Sequence, residues 1–260
     1  MGNNLYQVKA LVYQMFVSAL RDKSYLILIL TGMFFFVLIQ ILSFMSVGGN
    51  ERIIINGGFF IIGFFGLVTS LYYGINIING EIKNKTYYLI ISRGVTKNIF
   101  ITGKIIGIFL NSFCVFIVLN IFFILSLISF TEIEFNNIFI ISVLFIFLEW
   151  MVLGAFSLLF ACFTSSLLHV FFLTGIYFAG HWSRSIYIYA KNTEDFFLKK
   201  ILTIFYYIFP NLEALNFRVD ALYNQSISYM QIFLSSITAI FWIFLVYMTS
   251  LIIFNIRKNF

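Results

Sequence analysis

Few ionisable residues interrupt the apolar runs of this sequence, and Glu149 is the most unusual of them. It lies near the middle of a long apolar run, 138–163. A charge at the centre of a membrane-crossing helix costs roughly 2.5–3.5 kcal/mol on insertion scales. Glu149 must therefore face a bundle interior, a wet cavity or another subunit, or remain protonated. Two roles stay open for it, a site in a transport path and a polar tether between helices.

A second candidate is the charged window from Gly80 to Lys104, which is flanked by uncharged runs on both sides. The window holds one acid and five basic residues, namely Glu81, Lys83, Lys85, Arg93, Lys97 and Lys104. A short cationic segment between two membrane spans either marks the cytoplasmic side or forms a surface on which a partner docks.

The patterns expected of an enzyme or a metal site do not occur, so we expect neither catalytic residues nor a bound metal. Neither H-E-x-x-H nor G-x-S-x-G is present, which disfavours an intramembrane enzyme. Gly103-Lys104 lacks the upstream glycine and the following Ser or Thr of a phosphate-binding loop. Cys114 and Cys162 lie in apolar runs and are interpreted as small buried residues.

The composition decides the broad class. Hydrophobic residues make up 62% of the chain and charged residues 10%, whereas soluble domains carry roughly 25% charged residues. Such a chain cannot cover a soluble surface, so the sequence predicts a multi-pass, all-α membrane protein that forms one domain over 1–260. No nucleic-acid partner is expected.

The elements that would position these residues are a surface helix and six spans. Residues 4–22 alternate apolar and polar positions at helical spacing, which predicts an amphipathic helix in the interface plane. Runs near or above the roughly 20 residues needed to cross a bilayer predict spans at about 25–47, 53–79, 99–130, 138–163, 167–189 and 232–254. Several glycines in the second span predict that it packs inside the bundle.

The basic residues predict the orientation. Lys and Arg in the short loops concentrate on the side of the N-terminus, so both termini are expected in the cytoplasm. The charged window then lies on the cytoplasmic side, where residues 81–92 predict a short amphipathic helix that Gly94 ends. In the long outer loop, 201–209 is apolar but too short to cross, which predicts a re-entrant or interfacial helix.

The order of several short motifs resembles a known family. Gly80-Glu81, Thr86, Leu89, Ser92-Arg93, Val95-Thr96-Lys97 and Gly103-Lys104 resemble the segment G-E…G-T…L…S-R-P-V-S-R…G-K of type-2 permeases of ATP-binding-cassette (ABC) exporters. Gly180-His181 and the stretch from Phe209 to Asn216 resemble the Gly-His pair and the P-N-L-E-x-F-N motif of the branch that includes multicopper-enzyme-maturation permeases. Lys85 stands where the pattern has Gly, and Gly94 where it has Pro.

The resemblance implies a permease subunit in the bacterial plasma membrane that pairs with a second permease copy, as a homodimer or a heterodimer. A separate cytosolic ATPase would bind ATP and Mg, so this chain itself is expected to hold no cofactor. The helix at 81–92 would be its coupling helix, with docking expected at Glu81, Lys83, Lys85, Thr86 and Arg93. Glu149 stays a candidate for the transport path, with the tether role open, and His181, Pro210 and Asn211 are expected in an outer gate region.

One alternative stays open, a secondary transporter driven by an ion gradient, with Glu149 as its proton or cation site. This alternative predicts that Glu149→Gln abolishes transport. The sequence offers only one firmly intramembrane acid and no inverted repeat of broken helices, which such transporters commonly have.

Overall fold

The computed structural model describes residues 2–46, 50–78, 80–81, 84–131, 136–223 and 225–256. The regular elements in these ranges are all helical, which confirms the all-α fold class. In chain order they are α1 (Gly2–Arg21), α2 (Lys23–Phe44), α3 (Asn50–Ile77), α4 (Thr86–Ser92), α5 (Lys97–Phe130), α6 (Asn137–Phe163), α7 (Ser166–Asn192), α8 (Phe196–Ile208), the 3-10 turn η1 (Leu212–Leu215), α9 (Arg218–Tyr223) and α10 (Tyr229–Ile256).

Five segments are long and apolar enough to cross a membrane, as a multi-pass membrane protein requires. They are Lys23–Phe44, Glu51–Ile75, Lys97–Phe130, Asn137–Phe163 and Tyr229–Ile256. They agree with five of the six predicted spans. The sixth predicted span, 167–189, falls within α7. This helix has 27 residues and is about 40 Å long, but its composition is more polar than that of the five apolar segments.

The long helices define two ends of the molecule. The α1 end holds α1, α4 and the first residues of α2 and α5; the loop end holds α8, η1 and α9. The third helix runs between these ends through the centre of the bundle, in contact with α2, α5, α6, α7 and α9. Its glycines permit this close packing, because a Cβ at Gly66 would meet the buried Trp150 ring. The Trp150 indole N–H in turn donates to the Ile62 carbonyl at 3.1 Å.

The first helix packs along the beginning of α5. Leu11 lies against Gly103, and one turn later Met15 lies against Gly107, so the two helices run in the same direction at this contact. At 34 residues, α5 is about 51 Å long, which exceeds the roughly 30 Å hydrocarbon core of a bilayer. It is therefore long enough to project from the membrane and carry α1 on its projecting part.

The predicted coupling helix exists but is shorter than expected. Gly80 and Glu81 are helical, whereas Lys85 adopts left-handed backbone geometry with φ of 59° and the next helix, α4, begins only at Thr86. The prediction of one continuous helix from Glu81 to Ser92 was therefore wrong, because the left-handed Lys85 interrupts it. The predicted stop is confirmed, since α4 ends at Ser92 and Gly94 has φ of 82°.

At the loop end, the segment that inserts into the bundle differs from the predicted one. Residues 201–208 do form a helix within α8, but no residue of α8 is buried. Instead Leu212, Leu215 and Phe217 are buried, each at 2% exposure or less. The chain inserts after Pro210 because η1 and its flanks present these apolar side chains to α6 and α7.

Candidate functional site

Two groups of residues meet at opposite ends of the bundle. The first is the coupling segment, residues 80–81 and 84–98 at the α1 end. Glu81 forms an ion pair with Lys104 of α5, whose side chain is 5% exposed. The Thr86 hydroxyl donates to the Glu81 carbonyl at 3.1 Å. Two of the residues predicted to dock a partner thus face the molecule itself and fix the coupling segment to α5.

The exposed side of the coupling segment carries the other predicted docking residues. Lys85 and Arg93 are exposed at the two ends of α4, and between them Tyr88 and Leu89 are 46% and 62% exposed. The structure therefore presents two cations flanking an apolar pair. Lys83, the remaining predicted docking residue, lies outside the described residues.

A single aromatic side chain fastens α4 to the long helices. Tyr87 is 4% exposed, and its ring centroid lies 5.2 Å from that of Phe100 in α5 and 5.8 Å from that of Phe254 in α10. The Phe100 and Phe254 rings stack on each other at 5.7 Å. Such contacts stabilise an aromatic pair by about 0.5–1.5 kcal/mol beyond the area they bury. Tyr87 therefore links α4 to the start of α5 and the end of α10.

The start of α2 is tied to the same end by Asp22. Its carboxylate caps α2 by accepting from the Ser24 backbone N–H at 2.9 Å, and it accepts a hydrogen bond from the Tyr72 hydroxyl of α3. The Tyr72 hydroxyl holds the pKa of Asp22 below its ordinary value, and the Ser24 N–H adds to the effect. Asp22 is accordingly a carboxylate at neutral pH.

The second group is a charge cluster formed by Glu149, His181, Glu213 and Arg218. Glu149 is fully buried and accepts from the Arg218 guanidinium at 2.7 Å. His181 Nε2 lies 3.0 Å from the Glu149 carboxylate, and His181 Nδ1 lies 3.4 Å from that of Glu213. Both ring nitrogens face acceptors, which suits the imidazolium form because only that form donates from both. In that form two cations balance two anions.

The insertion of η1 and α9 brings Arg218 to Glu149. A Cβ at Gly63 of α3 would overlap the Arg218 guanidinium, so this glycine provides the space that the arginine occupies. On its other side the cluster meets the Tyr177 ring, whose centroid lies 4.7 Å from that of His181. The charge cluster thus joins α3, α6, α7, η1 and α9.

The other residues predicted for an outer gate region lie beside the charge cluster. The Asn211 side-chain oxygen accepts from the Ser183 hydroxyl at 2.7 Å and from the Ala214 N–H at 3.0 Å, which caps η1 and binds it to α7. Pro210 is buried next to Gly180 of α7, where a Cβ would approach the Pro210 carbonyl oxygen at 2.9 Å. The structure therefore unites Glu149 with His181, Pro210 and Asn211, which the sequence had suggested separately.

The basic partners of the Glu149 and Glu81 carboxylates were not predicted from the sequence. The sequence pattern gave no role to Arg218 and placed Lys104 only within the charged window. The available signal was physical: a carboxylate in an apolar run needs a cation or several hydrogen bonds. Among the described residues, no group of three or more His, Cys, Asp or Glu side chains could hold a metal ion.

Comparison of the sequence with models of known protein families and with curated proteins gave no match.

Proposed function

We propose that this chain is the transmembrane permease subunit of an ABC exporter of the bacterial plasma membrane. A separate cytosolic ATPase docks on the coupling segment, and a second permease copy completes the transport unit. ATP-driven closure of the ATPase subunits displaces α4 and tilts the helices attached to it. Substrate leaves through the interface between the two permeases. Both termini lie in the cytoplasm, so the α1 end is the cytoplasmic end.

The observation that supports this proposal most is that α4 has one exposed side and one side anchored to the long helices. Its outer side offers Lys85, Tyr88, Leu89 and Arg93 to a partner, whereas its inner side buries Tyr87 between α5 and α10. Aromatic residues and arginine are the types enriched where proteins bind each other. A helix that is exposed on one side and inserts one aromatic side chain between two long helices on the other suits a part that receives force and transmits it.

The polar residues of α7 support a six-span arrangement. The buried positions of α7 are His169, Leu173, Ile176, Tyr177, Gly180, Ser183 and Ala190. Most follow at three- and four-residue steps, so they form one side of the helix. Phe171, Phe178 and Trp182 are exposed on other sides, at 67%, 49% and 62%. With His169 and Ser183 turned inward and large apolar groups outward, the part of α7 that precedes the exposed Arg184 can serve as the sixth span despite its mixed composition.

The contacts of Glu149 favour the permease over an ion-driven secondary transporter. A proton or cation carrier needs a carboxylate that alternates between a bound and a free state. The Glu149 carboxylate already accepts from Arg218 at 2.7 Å and faces His181 at 3.0 Å. We therefore assign Glu149 the role of a polar tether between the bundle and the inserted loop.

The test is ATP turnover by the complete complex. The chain is purified from its native membrane together with any bound ATPase and is reconstituted in lipid. In a double variant, Lys85→Glu with Arg93→Glu, two acids replace the two cations of the docking surface. They then face the ATPase surface that is proposed to bind those cations, and repel it. Since like-charge contacts cost several kcal/mol, the complex should assemble at least about tenfold more weakly, and permease-stimulated ATP turnover should fall accordingly.

The matched control is Lys199→Glu with Lys200→Glu on α8, because these lysines are also exposed and the net charge change is the same. The control should assemble and hydrolyse ATP like the unchanged chain. Normal turnover in the α4 variant, or equal losses in both variants, would contradict the proposal.

A further inference from the structure

The last helix, α10, connects the coupling segment to the inserted loop at the opposite end of the bundle. Its 28 residues, Tyr229–Ile256, include no glycine and no proline, the residues at which a long helix most often kinks. At 1.5 Å per residue the helix is about 42 Å long. It is therefore suited to move as one rigid body, so that a shift of one end displaces the other.

At the α1 end, α10 is held against α4 and α5 by ring contacts and a hydrogen bond. Phe254 is fully buried, and its ring centroid lies 5.8 Å from that of Tyr87 in α4 and 5.7 Å from that of Phe100 in α5. The next residue, Asn255, donates from its side-chain amide to the Asn98 side-chain oxygen at 2.6 Å. The coupling segment joins α3 to α5 along the chain, so it reaches α10 only through space.

At the loop end, α10 holds the inserted turn η1. Ser235 is 4% exposed, and its hydroxyl donates to the Ala214 carbonyl at 2.7 Å. The residue before Ala214 is Glu213, whose carboxylate faces His181 in the charge cluster. Ser235 and Phe254 lie about 28 Å apart along the helix axis. Both belong to the buried side of α10, together with Ala239, Val246 and Ser250.

The contacts of η1 single out α10 as the route between the two ends. In the part of the chain that the structure describes, η1 packs on α6, α7 and α10. Of these three helices, α10 supplies the Phe254 ring that meets Tyr87 of the coupling segment. One continuous helix thus contacts α4 at one end and η1 at the other.

We propose that α10 transmits a displacement of the coupling segment to the inserted loop, with Phe254 and Ser235 as the positioning residues at its two ends. The Tyr87 ring displaces Phe254, α10 moves as a rigid body, and Ser235 moves η1 with it. The charge cluster at the loop end thereby responds to events at the α1 end. The inference rests on the proposed function for the source of the displacement, which is closure of the ATPase subunits.

Amide hydrogen exchange of the chain alone, in phospholipid nanodiscs, tests this link, because local opening of a segment speeds the exchange of its backbone N–H groups. The reporter segment is 211–221, in which the N–H groups of Ala214, Asn216 and Ala221 are hydrogen-bonded within the loop. Ser235→Ala removes the hydroxyl that holds η1 and should speed exchange there at least about twofold. Phe254→Leu, at the far end of α10, should speed exchange in the same segment.

Each variant has a matched control on the same helix. Ser236→Ala removes the neighbouring hydroxyl, which donates at 2.8 Å to the Ile232 carbonyl of α10 itself. Phe244→Leu repeats the phenylalanine change at a position that is 58% exposed and lies nearer to the loop than Phe254. Both controls should leave exchange in the reporter segment as it is in the unchanged chain.

The double variant Ser235→Ala with Phe254→Leu distinguishes transmission from two independent local effects. If α10 carries the effect of Phe254 to η1 through Ser235, the double variant should exchange no faster in the reporter segment than Ser235→Ala alone. Residues 38–44, at the end of α2, report loosening of the whole bundle and should exchange equally in all variants.

Three results would overturn the inference. They are unchanged exchange of the reporter segment in Phe254→Leu, effects of the two substitutions that multiply in the double variant, and equal acceleration in residues 38–44. The experiment uses the chain without an ATPase. Its failure therefore leaves the permease proposal intact, and a failed ATPase assay leaves the link between Phe254 and η1 intact.

Discussion

Replacing Arg218 by methionine tests the charge cluster at the loop end. Glu149 is fully buried and receives its one guanidinium hydrogen bond from Arg218 at 2.7 Å. In Arg218→Met the carboxylate keeps His181 at 3.0 Å but loses the permanent positive charge. Removing one partner of a buried ion pair costs about 3–5 kcal/mol, because the other charge stays buried.

The double variant separates loss of the pair from loss of the loop's packing. Glu149→Met with Arg218→Met removes both charges and retains side chains of similar length. Replacing a complete buried pair by apolar residues is often neutral, so this variant should lie within about 1 kcal/mol of the unchanged chain. Arg218→Met alone should cost about 3–5 kcal/mol and the double variant at most about 1 kcal/mol. A double-mutant cycle should therefore give a coupling free energy of at least about 2 kcal/mol.

The assay is thermal unfolding of the purified chain in detergent. For a chain of this size, 1 kcal/mol corresponds to about 2–4 °C, so Arg218→Met should melt on the order of 10 °C lower. Arg184→Met removes an exposed arginine of α7 and should change stability by less than about 0.5 kcal/mol. If Arg218→Met melts like the unchanged chain, or the double variant melts as low as the single one, the tether role of the pair is refuted.

Two further predictions concern the α1 end. Lys85→Gly should raise the free energy of unfolding by about 1 kcal/mol, and Gly94→Ala should lower it by at least as much, because both positions have positive φ. Denaturant titration measures both changes, and changes of the opposite sign would contradict the backbone geometry. The lowered pKa of Asp22 contributes stability that is present above the carboxyl's ordinary value of 3.8 and is lost as pH falls through the lowered value. Melting temperatures between about pH 6 and 2 should therefore fall more steeply for the unchanged chain than for Tyr72→Phe, and parallel curves would exclude this linkage.

Most of the fold was predictable because long apolar runs can satisfy their backbone groups in a membrane only as helices. The central position of α3 was also predictable, since its glycines allow close packing. The polar α7 was harder to assign. Its sequence mixes residues such as His169 and Ser183, which are buried, with Phe171 and Trp182, which are exposed.

Both positions that depart from the exporter-permease pattern, Lys85 and Gly94, have positive φ. The pattern has glycine at position 85 and this chain has lysine, yet the backbone retains a left-handed conformation there that glycine adopts without strain. At position 94 the pattern has proline, whose ring fixes φ near −65°, whereas Gly94 has φ of 82°. A proline at position 94 could not adopt this backbone conformation.

The partners of the carboxylates could not be read from sequence spacing. Arg218 is distant from Glu149 along the chain, and only the insertion of η1 and α9 brings the two together. The sequence drew attention to the apolar stretch before Pro210, which remains unburied in α8. The inserted residues are fewer and mixed with polar ones, so they lack a recognisable apolar run.

Affinity purification tests directly whether the chain pairs with a separate ATPase. The chain is tagged, extracted in a mild detergent, and its co-purifying proteins are identified by mass spectrometry. If the chain is an ABC permease, a stoichiometric protein with the G-x-x-x-x-G-K-[ST] phosphate loop of an ATPase should co-purify with it. This protein should be lost from the Lys85→Glu, Arg93→Glu variant but retained by the Lys199→Glu, Lys200→Glu control. Purification of the chain without such an ATPase, together with transport that continues when ATP is absent, would contradict the permease assignment.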